Sequence, residues 1–139
     1  MISFILCSLL SYAPTYPKVY IMEAQPIKKV INKYDRLIDA IFYYESSYNT
    51  YAYNPKENAV GGLQIRQCRI DHYNKLTGKN YTLKEMYDFD KAREVFLHFA
   101  EGKSYEQAAK NWNGSGPMTL VYWRNVEAIL KDKPIIRRI

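Results

Sequence analysis

An apolar stripe with helical spacing constrains this chain more than any other feature. In PIKKVINKYDRLIDAIFYYESS, Ile27, Ile31, Tyr34, Ile38 and Ile41 recur at steps of four, three, four and three, the period of a helix with one buried face. One further step of four lands on Glu45. A carboxyl at the inner end of such a stripe loses part of its water, which disfavours the charged form and raises its pKa toward the range where it donates a proton near neutral pH. The competing reading is an ordinary solvated Glu near a helix end.

Further helices follow downstream. Thr82 and Glu85 have capping-box spacing and open a short helix, and Ala92, Val95, Phe96 and Phe99 give another helical face stopped by Gly102. Ser104 and Gln107 form a second capping box, whose helix ends near Trp112. Asn113-Gly114-Ser115-Gly116-Pro117 forces a turn, and Pro117 suits the first position of a last helix carrying Met118, Tyr122, Val126 and Ile129 on one side. Between positions 46 and 68 the helical period gives way to Ser, Tyr, Asn, Pro and Gly, which reads as a long loop or small hairpin beside the end of the first helix. The expected fold class is mainly α, a helical bundle with one small irregular or β-hairpin insert.

A length of 139 residues suits one domain. Residues 1–26 carry three Pro and no helical period, residues 27–133 form the globular part, and 134–139 are a short basic tail. The run ISFILCSLL at 2–10 resembles the core of a secretory signal, although no Lys or Arg precedes it, and a retained apolar arm is the alternative. That run is far too short to span a bilayer. Only Cys7 and Cys68 are present, so there is no disulfide framework, and neither they nor His72 and His98 have metal-ligand spacing. No metal and no cofactor are expected.

The formal charge of +6 favours an anionic partner, either nucleic acid or an anionic wall polymer. Fourteen Tyr is many for this length, and Tyr43, Tyr44, Tyr48, Tyr51 and Tyr53 crowd around Glu45 in sequence, offering flat amphipathic faces that suit sugar rings as well as interior packing.

Three segments stand out together: Glu45-Ser46, then Gly61-Gly62-Leu63-Gln64-Ile65, then Asn111-Trp112-Asn113-Gly114-Ser115-Gly116 followed by Tyr122 and Val126. In this order, over about residues 34–130, they resemble the lysozyme-like domain of the soluble lytic transglycosylases and their goose-type lysozyme relatives. That pattern places Glu-Ser at the end of a core helix, a Gly-Leu-Met-Gln-Ile type segment further on, and an aromatic-Asn-x-Gly turn before a helix that begins with Tyr. Here Gly62 stands where the family usually has Leu, and Leu63 where it usually has Met. The loop 49–59 lacks the usual Ser-Pro-x-Gly wording, and no Gly-x-x-Tyr-Leu signature follows the second motif.

The resemblance implies a lysozyme-like fold with the insert beside an active-site cleft, and a peptidoglycan-cleaving lytic transglycosylase. It would act on the β-1,4 bond between N-acetylmuramic acid and N-acetylglucosamine. Glu45 would be the catalytic residue, acid and then base, leaving a 1,6-anhydro product. Ser46 would hydrogen-bond near its carboxyl. Gly62, Leu63, Gln64 and Ile65 would line the cleft, and Trp112, Asn113 and Tyr122 would contact substrate or Glu45. Glu57 and Asp71, the nearest downstream acids, lie on no patterned face that aims them at Glu45, which favours a single-carboxylate mechanism.

A muramidase-type hydrolase of the same fold is the nearest alternative, followed by a glycan-binding virion or wall protein without turnover. A nucleic-acid partner is not expected, because net charge alone supports it and leaves the ordered motifs unexplained. The expected partner is a peptidoglycan strand, met by a monomeric domain outside the cytoplasm or on a phage particle. A phage, secretion or conjugation assembly is a setting the resemblance admits.

Overall fold

Asn32 fixes where the first helix begins. Its side-chain carbonyl accepts from the Tyr34 amide (2.9 Å), while its own amide donates to the Asp35 carboxylate (2.8 Å). These local bonds compete with helix and hold residues 32–34 in a turn. Helix α1 therefore spans Asp35–Ser46. The expected helix from Ile27 is corrected at residues 32–34, and Ile27 and Ile31 lie outside the described residues.

The structure is a computed structural model and describes residues 32–132. The leader or arm at 1–26 and the tail at 134–139 lie outside this range. Among the described residues five α-helices and one two-stranded hairpin follow in order, so the protein is mainly helical with a small β insert. Strands β1 (Tyr53–Asn54) and β2 (Ala59–Val60) pair antiparallel, Tyr53 opposite Val60 and Asn54 opposite Ala59. Asn54 turns the hairpin by accepting from the Lys56 amide at 3.1 Å, as Asx turns do.

Helix α2 (Gln67–Thr77) is not visible in the apolar pattern, since it buries only Ile70 and Tyr73. It ends on Gly78 in the left-handed region. The Thr82–Glu85 capping box forms, and the short helix it opens is a 3₁₀ turn at Leu83–Tyr87. Helix α3 (Phe89–Ala100) is capped by Asp88, whose carboxylate accepts from the Asp90 and Lys91 amides, and α4 (Tyr105–Asn113) by the expected Ser104–Gln107 box. Each such cap stabilises its helix by about 1 kcal/mol. Helix α5 (Met118–Asp132) follows Pro117 directly.

One apolar cluster joins these elements. α1 packs on α4 and α5, α3 on α4 and on the 3₁₀ turn. Leu37, Ile41, Leu63, Ile65, Ile70, Met86, Val95, Phe96 and Val126 are among its most enclosed members. Tyr34 closes one end, donating to the Lys103 carbonyl (2.8 Å) and accepting from the Lys103 amide (3.1 Å). Met118 does not share the buried side of α5 with Tyr122 and Val126. It sits on the first turn with 66% of its surface exposed, before the helix has reached its packing partners.

Gly61 and Gly62 let the hairpin close on this core. Gly61 is left-handed (φ +77°), and a Cβ there would lie 2.1 Å from the Met86 carbonyl oxygen; a Cβ on Gly62 would lie 2.4 Å from the Phe42 ring. No helix among the described residues is long and apolar enough to cross a membrane.

Candidate active site

The last turn of α1 brings Glu45 to the edge of the core, where the chain leaves the helix through left-handed Ser47 and Tyr48. The residue is half-buried. Tyr122, enclosed on the facing side of α5, donates its phenolic proton to Glu45 Oε1 at 2.7 Å. Removal from water pushes the Glu45 pKa from 4.5 to about 7. The Tyr122 hydrogen bond and the Arg66 charge pull it down, and the Glu57 charge adds to the rise. Tyr122 itself is pushed well above the usual phenol range, first by burial and then by Glu45, so it remains a donor.

Glu45 lies on a groove of about 240 Å³. The turn after β2 contributes Gln64 and Ile65, α4 contributes Trp112 and Asn113, the hairpin contributes Asn54 and Glu57, and the start of α2 contributes Arg66, Cys68, Arg69 and His72. Gln64 adopts a left-handed backbone (φ +50°), uncommon outside glycine, and its Nε2 donates to the Gly61 carbonyl at 2.8 Å. The Trp112 indole packs on Phe96 with ring centroids 4.8 Å apart, and its Nε1 donates to the Leu63 carbonyl at 3.1 Å. That bond ties the end of α4 to the segment after β2.

Of the residues singled out by sequence, Glu45, Gln64, Ile65, Trp112 and Asn113 come together on the groove, and Tyr122 reaches it through the Glu45 carboxyl. Three do not take the expected places. The Ser46 hydroxyl donates to the Phe42 carbonyl one turn back (3.0 Å), the usual resource of a Ser inside a helix. Leu63 is wholly enclosed in the core, and Gly62 is buried against Phe42, so neither side of that dipeptide lines the groove. Within the Tyr cluster, Tyr44 meets the Tyr122 ring edge-on at 5.1 Å, whereas Tyr48 packs on Phe42 and Tyr51 stacks on Tyr87.

Glu57, which no patterned face aims at Glu45, is nonetheless brought to the same groove. It stands on the hairpin turn, lines the same groove, and its charge is felt at Glu45. Periodicity cannot place a turn residue, so no apolar pattern aims it. Arg66 and Arg69 were also missed, although they extend the Gln64-Ile65 segment directly. Arg66 donates to the Asn113 carbonyl (3.1 Å), and Arg69 to the carbonyls of Asn111 (2.8 Å) and Trp112 (3.2 Å).

Fold and site thus define a mainly helical domain with one water-poor carboxyl at the head of a polar groove. Comparison with family models, with characterised proteins and with solved structures finds no match.

Titration by NMR of a side-chain-labelled protein is expected to place Glu45 near pH 7. Because the Tyr122 hydrogen bond favours the charged form, Tyr122→Phe should move that midpoint higher still. A midpoint near the ordinary Glu value of about 4.3 would remove the desolvation argument.

Proposed function

We propose that the protein is a glycosidase of the lytic transglycosylase kind, lysozyme-like in fold, which cleaves the β-1,4 bond of peptidoglycan with Glu45 as its proton donor. The observation that carries this reading is the Glu45 carboxyl itself: half-buried, held by Tyr122, and half-protonated near neutral pH at the edge of a groove. Departure of a sugar oxygen requires protonation as an oxocarbenium-like transition state forms, and a carboxylic acid with raised pKa is the usual donor.

In the first half of the reaction Glu45 gives its proton to the glycosidic oxygen and the bond from that oxygen to the anomeric carbon breaks. Glu45, now a carboxylate, takes the proton of the 6-hydroxyl of the N-acetylmuramic acid ring as that oxygen closes on the anomeric carbon. The product is a 1,6-anhydro end, and Glu45 is again protonated. Tyr122 steadies the carboxylate between the two proton transfers, since its hydrogen bond favours the charged form. Gln64 and Asn113 offer amide groups at the groove for the sugar N-acetyl arms.

A hydrolase is the second reading, and Glu57 is the observation that favours it. A second carboxylate on the same groove is what activates water or stabilises the cation in two-carboxylate glycosidases. Incubation with purified peptidoglycan, followed by mass analysis of the released muropeptides, separates the two. Anhydro ends are expected; reducing ends would transfer the assignment to the hydrolase, and intact strands would end the glycosidase reading.

A further inference from the structure

Arg66 and Arg69 have no task in the chemistry just described, yet both stand on the groove with Glu45. Arg69 is held by backbone carbonyls and aromatic rings. Its guanidinium donates to two backbone carbonyls and lies 4.8 Å from the Phe99 ring centre and 5.1 Å from that of Trp112. Among the described residues no carboxylate forms an ion pair with it. Burial lowers its pKa, Cys68 raises it and the Arg66 charge lowers it, so the guanidinium is a partly desolvated cation with a second cation beside it.

Beyond its bond to the Asn113 carbonyl, Arg66 is only loosely engaged. Its nearest acid, Glu57, is 3.7 Å away, and the two side chains are 40% and 58% exposed, so the pair contributes little and is readily exchanged. The groove thus carries two guanidiniums beside the Tyr122-held Glu45 and one further acidic side chain, Glu57. A planar fork of N–H donors suits a carboxylate better than it suits a neutral hydroxyl or amide.

Resting on the glycosidase reading, we propose that Arg66 and Arg69 bind a carboxylate carried on a side substituent of the amino-sugar chain, so that the groove selects an acidic polymer over a neutral one. Two sources supply such a group in peptidoglycan: the lactyl arm of the muramic sugar when it bears no peptide, and the acidic residues of the peptide stem when it does. A bound carboxylate also offsets the Arg66 charge that pulls the Glu45 pKa down, and so keeps the acid protonated while substrate is in place.

The test measures kcat/KM of the full chain on three polymers: strands with intact stems, the same strands with their carboxyls chemically amidated, and stem-free strands with free lactyl carboxylates. The wild-type protein is expected to prefer acidic over amidated strands by about tenfold or more, mainly through KM, as one charged hydrogen-bonded contact supplies. Arg66→Gln should narrow that preference to within about threefold, and Arg66→Lys should retain part of it. Preference for stem-bearing strands assigns the group to the peptide, and preference for stem-free strands assigns it to the lactyl arm. Equal rates of the wild-type protein on acidic and amidated strands overturn the proposal while leaving the glycosidase standing. Failure to cut any of the three removes both. The wild-type comparison decides the matter even if an Arg66 variant does not fold.

Discussion

Glu45→Gln is expected to cost at least about a hundredfold in the rate of strand cleavage, because positioned acid catalysis contributes on the order of 10²–10⁴. The amide keeps the shape of the side chain, and its oxygen still accepts from Tyr122, so the fold should survive. Stability should in fact rise at alkaline pH. The folded-state pKa of about 7 lies above the ordinary value of 4.5, so between these two values the folded protein binds more protons than the unfolded chain. The stability of the native protein therefore falls as pH climbs through that window, by on the order of 1–3 kcal/mol in all. The amide variant does not titrate there and should melt several degrees higher at pH 8. Near-native cleavage by Glu45→Gln would refute the assignment of the proton donor, and a melt unchanged between pH 5 and pH 8 in the native protein would contradict its burial.

Gly61→Ala is expected to be the most disruptive single methyl group near the site. Gly61 combines a left-handed backbone with a tight approach to the 3₁₀ turn, and the added carbon would lie 2.1 Å from the Met86 carbonyl oxygen. Backbone cannot step aside as a flexible side chain can. Its amide also donates to Ala52 (2.8 Å), and its carbonyl accepts from both the amide and the side chain of Gln64. A loss of about 3 kcal/mol or more should follow, lowering the melting temperature by roughly 10 °C or more. Gly78→Ala is the control: that position is also left-handed but has nothing within 4 Å, so only the local backbone cost of about 1 kcal/mol applies. Equal melts for the two variants would show that the Met86 contact does not constrain the hairpin.

Much of this arrangement was legible in the residues. The step from Tyr34 through Ile38 and Ile41 to Glu45 describes a face that α1 does bury, and the capping boxes at Thr82 and Ser104 mark real helix starts. What escaped has physical causes. α2 carries too thin an apolar stripe to register, because most of its side chains face water or the groove. The start of α1 was read too early because an apolar period says nothing of side-chain competition, and Asn32 supplies that competition. In the site, the helical period gives Glu45 and the inward side of Tyr122, the resemblance gives Gln64 and Asn113, and Glu57 depends on how the hairpin folds over. The resemblance implies cleft-wall places for Gly62 and Leu63, whereas the leucine is wholly enclosed in the core and Gly62 lies against Phe42.

The indole bond from Trp112 to the Leu63 carbonyl bears on how far the groove can open. Since it bolts one bank of the trench to the other, the width is set before anything arrives, and a jaw-like opening about that point would have to break a buried contact. Adjustment to different guests then rests with the longer side chains at the rim, Arg66 and Glu57 foremost. The backbone beneath them serves as a fixed gauge.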